Sequence, residues 1–115
     1  AKILPTIRRE EKGRIAWFQI KRKMLKRGKI SIDLSEHLLS FARAIKNVEA
    51  VALFKESPGV RSEIRINLRS QGNVDVNKVA QYFGGGGHKA AAGATVKGKI
   101  EQVRKKVLAK IKESL

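Results

Sequence analysis

Four consecutive glycines in the last third of the chain constrain its fold more than any other sequence feature. The run comprises Gly84, Gly85, Gly86 and Gly87, and His88 follows it directly. Glycine loses more backbone entropy on folding than any other residue, so an ordered run requires positive φ angles, close approach by another group, or both. Successive N–H groups in such a turn can converge on an anion, and the histidine can donate to a phosphate or stack beside a base. The run is therefore a candidate ligand-binding loop.

A flexible connector is the alternative interpretation of this run, because glycine-rich stretches are often linkers. Residues 90–93, which follow the loop, are small and apolar rather than rich in Ser or Pro, and this favours an ordered turn. A helix beginning at these alanines would add its positive end to the same anion site. The pattern is not a P-loop, because no Gly-Lys-Ser/Thr follows, and no strand leads into it at the spacing of a dinucleotide-binding fingerprint.

Asn67, Arg69 and Ser70 form a second candidate group. They lie at the expected end of a strand, from which side chains reach into a cleft, and a guanidinium with a hydroxyl suits a phosphate. For Arg69 alone, the alternative is an ordinary surface arginine at a turn.

The chain is strongly basic, with 26 Lys and Arg against 10 Asp and Glu and a formal net charge of +16. The excess is concentrated in residues 1–30, with eleven basic and two acidic residues, and in residues 84–115, with eight and two. Basic residues on an amphipathic helix are often only its solvated face. An excess over the whole chain instead favours nucleic acid or phosphate ligands, and fits an anionic membrane surface less well.

Several classes of protein are excluded by what the sequence lacks. With no cysteine, it has no disulfide, catalytic thiol or thiolate metal site. No apolar run is long enough for a bilayer span or a signal peptide, so we expect a cytoplasmic location and no membrane partner. The chain begins at Ala1, and we expect a processed product or an excised piece of a longer protein.

The apolar pattern predicts alternating strands and helices, and 115 residues suffice for one core. Strands are expected at residues 14–20, 49–55, 63–68 and 94–97, with a further edge segment at residues 2–9. The second and third of these strands should pair as a hairpin. Helices are expected at residues 34–46, from Asp75 to about Phe83, and from residue 100 onward, with a loop or helical turn at residues 21–29 that ends at Gly28. Asp33 with Glu36 forms a predicted capping box, and Trp17 is a predicted core residue.

Residues 63–93 closely resemble the C-terminal, DHH-associated domain of the DHH-family phosphoesterases. The resemblance is carried by Arg69-Ser70, by residues 74–77 (VDVN) with Ala80, and by residues 83–88 and 91–93, and it continues upstream through residues 14–55. The chain is most similar to the nanoRNA-degrading branch, which includes enzymes that hydrolyse cyclic di-AMP or its linear dinucleotide product.

The resemblance implies a single α/β domain, with a mixed β-sheet of about five strands flanked by helices. It also implies a larger N-terminal catalytic domain that holds two manganese ions and hydrolyses the substrate. Residues 1–13 would be a linker or edge strand from that missing domain, and residues 14–115 the substrate-binding domain. The glycine loop, His88, Arg69 and Ser70 would hold the terminal phosphate and the base end of a nucleotide. Asn67 stands where the family usually has serine.

A two-metal hydrolytic site is not expected within this chain, because such a site needs several converging Asp and His ligands. The chain has two aspartates, Asp33 and Asp75, which are predicted helix caps, and two histidines, His37 and His88. His37 lies within a predicted helix at no ligand spacing from the others. We therefore expect this chain to bind substrate without cutting it, and to hold no cofactor of its own.

Three functions are compatible with these features. The first is the substrate-binding domain of a manganese-dependent phosphodiesterase that converts short oligoribonucleotides or cyclic or linear dinucleotides to mononucleotides. Its partners would be RNA ends or dinucleotides with a terminal phosphate, and the catalytic DHH domain. The second is a stand-alone RNA- or tRNA-binding module related to the C-terminal domain of alanyl-tRNA synthetase. The third, a small architectural or ribosome-associated basic protein, leaves the glycine–histidine loop unexplained.

Overall fold

A mixed β-sheet, six-stranded in the part of the chain that the structure describes, forms the centre of the fold. The structure is a computed structural model, and it describes residues 5–26 and 32–115. The strands are β1 (Arg8–Glu10), β2 (Ile15–Ile20), β3 (Ala50–Glu56), β4 (Glu63–Ser70), β5 (Gly86–His88) and β6 (Ala91–Lys97). The helices are α1 (Arg22–Lys26), α2 (Ile32–Arg43), α3 (Val76–Tyr82) and α4 (Ile100–Lys112). The α/β class and the single domain are confirmed, with one strand more than about five.

The strands lie side by side in the order β1-β2-β3-β4-β6-β5. β2 and β3 run parallel, which requires a crossover, and α1 and α2 lie in the connection between them. The other neighbouring pairs among the described strands are antiparallel, and the predicted hairpin of β3 and β4 is confirmed. β1 lies at one edge of the sheet, where an edge segment is expected. Residues 2–4 of that segment and the turn at Gly28 lie outside the described residues.

Helices on the two faces of the sheet produce two apolar clusters. On one face α2 packs against β2 and β3, where Phe18 and Leu53 are fully buried. On the other face α3 and α4 cover a larger cluster that includes Trp17 and Phe54. β2 contributes to both clusters, as its apolar residues on both faces predict, and the core position of Trp17 is confirmed.

Helix α2 begins and ends earlier than the predicted residues 34–46. Its last turn tightens, because the N–H of Ala44 bonds to the carbonyls of both Ser40 and Phe41, and Asn47 then has a φ of +74°. Asp33 lies inside the helix rather than before it, and its side chain, with the predicted capping contact, lies outside what the structure describes. None of the described helices has the length and apolarity of a membrane span.

The alanine segment after the glycine run is a strand, so the helix considered there is wrong, and the end of the glycine run itself is strand β5 rather than loop. β6 starts at Ala91 and lies between β4 and β5, bonded to both. Ala92, Gly93 and Ala94 are buried in it. Small side chains let three strands and the α3 layer approach closely, and this packing outweighs the helix preference of alanine. No helix N-terminus therefore lies at this position.

The two helices on the larger cluster form as predicted. The carboxylate of Asp75 caps α3 and accepts hydrogen bonds from the N–H groups of Asn77, at 2.9 Å, and Lys78, at 3.2 Å. In α4 the apolar residues at helical spacing are all buried, and they are Ile100, Val103, Val107 and Ile111. Both helices thus fix the chain on either side of β5 and β6.

Candidate functional site

Strands β4, β6 and β5 bring the two candidate groups of the sequence together. Their register forms two neighbouring rows across the sheet, which are Asn67, Gly93 and Gly86 in one row and Arg69, Ala91 and His88 in the next. Asn67 and Arg69 are therefore neighbours of the glycine–histidine segment, although about twenty residues separate them in sequence. The sheet register, rather than any local turn, creates this candidate site.

The side chains of β4 alternate between the two faces of the sheet. Ile64, Ile66, Leu68 and Ser70 are buried on the face that α3 and α4 cover. Arg65, Asn67 and Arg69 alternate with them and lie on the opposite, polar face. On that face α2 packs mainly against β2 and β3. The polar side chains of β4 are thus cross-strand neighbours of Thr95, Gly93 and Ala91 of β6, which have small side chains or none.

Arg69 is held in place by an acidic residue of α2. Its Nη2 donates to both carboxylate oxygens of Glu36, each at 3.1 Å, and its Nη1 donates to the carbonyl of Leu68 at 3.0 Å. The Arg69 side chain is 19% exposed, whereas that of Glu36 is 57% exposed. A guanidinium has five N–H donors, so the Nε–H and one Nη1–H of Arg69 remain without a partner in the described chain. Sequence analysis missed this role of Glu36, because the ion pair joins two distant elements.

Ser70 ties three segments together at the end of β4. The residue is 2% exposed, and its hydroxyl lies 2.7 Å from the carbonyl oxygen of Val74 and 3.2 Å from that of Lys89. Its backbone N–H donates to the carbonyl of Ala90. These contacts connect β4 to the start of α3 and to the turn between β5 and β6. In this structure Ser70 positions the site, and its contact with a ligand stays a prediction.

Two glycines of the run are required by the close packing of β5 on β6. A Cβ on Gly85 would lie 2.0 Å from the carbonyl oxygen of Gly93, and one on Gly87 would lie 2.6 Å from that of Ala91. Gly87 also has a φ of +150°, which L side chains rarely adopt. The expectation of positive φ and close approach is confirmed. The run is an ordered edge of the sheet and not a connector.

His88 and Asn67 offer polar groups that have no partner in the described part of the chain. His88 is exposed at the end of β5, and Asn67 is half-buried in the middle of β4. A third such group, which sequence analysis missed, is the buried Oδ1 of Asn77 in the first turn of α3. It lies 3.7 Å from the point where a Cβ on Gly86 would stand. The sequence signal for Asn77 is its position two residues after the capping Asp75, in a helix that leads into the loop.

The described residues do not form a site for metal ions. No group of three or more His, Cys, Asp or Glu side chains comes together within residues 5–26 and 32–115. His37 lies on α2, Asp75 precedes α3, and His88 ends β5. The donor set that a pair of manganese ions would need is thus not found in the described ranges.

Comparison with known proteins relates this arrangement to a family. Residues 12–115 match the model of the DHHA1 domain. A stretch of 70 residues is 40% identical to the bifunctional oligoribonuclease and PAP phosphatase NrnA of Thermus thermophilus, and it covers 60% of this chain and 20% of that protein. The chain thus spans about a fifth of this curated relative.

Two solved structures share the fold. An exopolyphosphatase-related protein from Bacteroides fragilis superposes with a TM-score of 0.82 at 24% identity, over 94% of this chain and 31% of that one. The pGpG-specific phosphodiesterase PggH from Vibrio cholerae superposes with a TM-score of 0.61 at 12% identity, over 96% and 36%. At these identities the likeness establishes the fold alone.

Proposed function

The chain belongs to the DHHA1 domain family, and from this premise we propose that it is the substrate-binding part of a metal-dependent phosphodiesterase. The substrates are short oligoribonucleotides or cyclic or linear dinucleotides, which the parent protein hydrolyses to mononucleotides. The name of the curated relative supports this class of substrate, since that protein is an oligoribonuclease. A substrate of this kind implies a cytoplasmic parent protein, which is part of the proposal.

The observation that carries the proposal is the pair of cross-strand rows on the polar face. They set a fixed guanidinium, an amide and an imidazole around Gly86, Gly93 and the small side chain of Ala91. Arg69 keeps N–H donors for a terminal phosphate, and a charge-assisted hydrogen bond is about twice as strong as a neutral one. His88 donates to the same phosphate or stacks on the base, and Asn67 bonds to a base or ribose. Arg65 lies over Gly93, where a Cβ would stand 2.5 Å from its Nη2, and adds a second guanidinium to this face.

We assign the hydrolytic step, and the manganese that supports it, to a separate DHH domain of the parent protein. A manganese pair would polarise the phosphate and activate water there. The part of this chain described by the structure supplies no ligand cluster for such ions. Residues 1–13 then form the connection to that domain, with β1 as an edge strand. By itself the chain binds and orients substrate and cuts nothing.

The proposal is tested by NMR titration of the isotopically labelled chain with 5′-phosphorylated diadenylate, diguanylate and cyclic di-AMP. We expect micromolar or weaker binding, with shifts of the amides of Gly85, Gly86 and His88 and of the Nε–H of Arg69. Arg69→Gln should weaken binding about 10- to 100-fold, because it removes a charged donor from a phosphate. Arg61→Gln is the matched control, since Arg61 is exposed at the β3–β4 turn. Unshifted loop amides with all three ligands would refute the proposal.

Titration with oligonucleotides of increasing length and with a folded RNA separates the alternative RNA- or tRNA-binding module. That function predicts tight binding to folded RNA, with affinity that rises steadily with length and a steep dependence on salt. Affinity that stops rising after a few nucleotides contradicts it.

A further inference from the structure

A groove beside the C-terminal end of α3 combines an exposed aromatic ring with lysines. We call it the Tyr82 groove; it has a volume of about 520 Å³ and is lined mainly by Tyr82, Phe83, Val96, Lys106, Ala109 and Lys110. Val96 and Phe83 pack on the larger apolar cluster, so the groove lies on the helical side of the sheet. The proposed dinucleotide site lies on the opposite face and does not use it.

Two contacts hold the ring of Tyr82 in place although the residue is 66% exposed. Phe83 meets it edge to face, with ring centroids 5.1 Å apart and an angle of 81°. The Nζ of Lys110 stands 4.1 Å from the ring centroid, within the range of a cation–π contact. A fixed, exposed ring is a surface on which a nucleobase stacks at low entropic cost. Such stacking does not depend on sequence, because every base has a planar aromatic face.

The charges around the ring suit a chain of phosphates. Lys106 lines the groove and has no carboxylate partner in the described part of the chain. Lys110 bonds to Glu113 at 3.2 Å, and Glu113 is the one acidic residue lining the groove within the described ranges. Ala109 also lines a neighbouring groove that contains Arg104, Lys105 and Lys112 beside one carboxylate, that of Glu10, which pairs with Lys112. A basic band therefore continues around α4 from the aromatic ring.

We propose that the Tyr82 groove is a second binding site, which stacks a base of single-stranded RNA on the ring face of Tyr82 that Lys110 does not cover and holds the neighbouring phosphate with Lys106. This goes beyond the proposed function, because a dinucleotide on the polar face does not need it. Six residues lead from Tyr82 to His88, so their Cα atoms are at most about 21 Å apart. At roughly 3.4 Å per stacked nucleotide, about six nucleotides cover that span. Because the two sites lie on opposite faces, the strand must pass around the β5 edge of the sheet, and about six or seven nucleotides are needed to reach both.

The test measures binding of 5′-phosphorylated oligoadenylates of two to eight nucleotides to the 115-residue chain by isothermal titration calorimetry. We expect affinity to rise from the dimer to about the hexamer or heptamer and then to level off. Tyr82→Ala should weaken heptamer binding about tenfold and leave diadenylate binding unchanged, whereas Tyr82→Phe should bind the heptamer like the wild type. Phe41→Ala, which removes a comparably exposed ring on α2, is the matched control.

A heptamer that is abasic beyond its second nucleotide separates stacking from charge. It keeps the phosphates, so it should bind the wild type about as weakly as the normal heptamer binds Tyr82→Ala. Lys106→Gln should reduce the slope of log affinity against log salt for the heptamer by about 0.7, the value of one single-strand phosphate contact.

The proposal is overturned if Tyr82→Ala binds the heptamer like the wild type, or if it loses diadenylate and heptamer binding equally. If Tyr82→Ala does not fold, as judged by circular dichroism, the abasic heptamer and Lys106→Gln decide the question on folded protein. Failure of the dinucleotide site alone is recognised separately, because Arg69→Gln changes diadenylate binding and Tyr82→Ala does not.

Discussion

Replacing Gly85 by alanine tests whether close packing of β5 on β6 dictates the glycine run. The added Cβ would lie 2.0 Å from the carbonyl oxygen of Gly93 and 2.7 Å from the Cα of Ala94. Both obstacles are backbone atoms, so no flexible side chain can move aside. To restore even a tight contact of 3.0 Å, the start of β5 must shift by about 1 Å, which disrupts the ladder of a three-residue strand.

The expected loss follows from overpacking, which costs about 1–3 kcal/mol. The alanine also lowers the conformational entropy of the unfolded chain, and this offsets the loss of unfolding free energy by about 0.4–1 kcal/mol. The net loss of about 1–2 kcal/mol lowers Tm by about 4–8 °C for a chain of this size. Gly86→Ala is the matched control one residue away, because its Cβ would meet only the Oδ1 of Asn77 at 3.7 Å. We expect that variant to be as stable as the wild type or slightly more stable.

Thermal and urea denaturation followed by circular dichroism measure both variants, and hydrogen exchange locates the change. In Gly85→Ala the amides of β5 and the outer edge of β6 should exchange faster, while those of β2 and β3 remain protected. Diadenylate binding should weaken together with this local protection. A Tm for Gly85→Ala within 1 °C of that for Gly86→Ala, with unchanged exchange at β5, would refute the packing argument.

Three further predictions concern single side chains. Ser70→Ala should lose about 1–3 kcal/mol of unfolding free energy in urea, because the carbonyl of Val74 loses the buried hydroxyl that donates to it; a loss below 0.5 kcal/mol would contradict that role. Glu36→Gln should bind diadenylate about two- to fivefold more tightly in calorimetry, because it removes a negative charge that competes with phosphate for Arg69; unchanged or weaker binding speaks against phosphate at Arg69. A hydrogen bond from Arg14 holds the pKa of Glu49 below its ordinary value, so the stability from this pair is present above the ordinary glutamate pKa, about 4.3, and lost as pH falls through the lowered pKa. The free energy of unfolding measured in urea should therefore fall less steeply with decreasing pH in Glu49→Gln than in the wild type. Identical pH profiles of the two proteins below the ordinary glutamate pKa would count against this pair.

Much of the fold could be predicted because its signals are local. The mostly apolar β2 and the alternating β4 follow from side-chain period alone, and Asp75 caps α3 through bonds that reach only two and three residues ahead. The apolar stripe of α4 is read from spacing in the same way. The unusual backbone angles of the glycine run could also be predicted without the tertiary structure, because tolerance of positive φ is a property of glycine itself.

The sequence by itself thus determined which segments become strands and helices in most of the chain. It also indicated the residue types that can bind a phosphate, which are Arg69, Ser70 and His88. Tertiary structure alone decided that the alanine segment is a strand, because its partners β4 and β5 outweigh a local helix preference. It also decided that Glu36 holds Arg69, that the Ser70 hydroxyl turns inward to Lys89, and that His88 shares a row with Arg69. Sheet register and ion pairs join residues far apart in sequence, so their energies depend on packing that no local pattern contains.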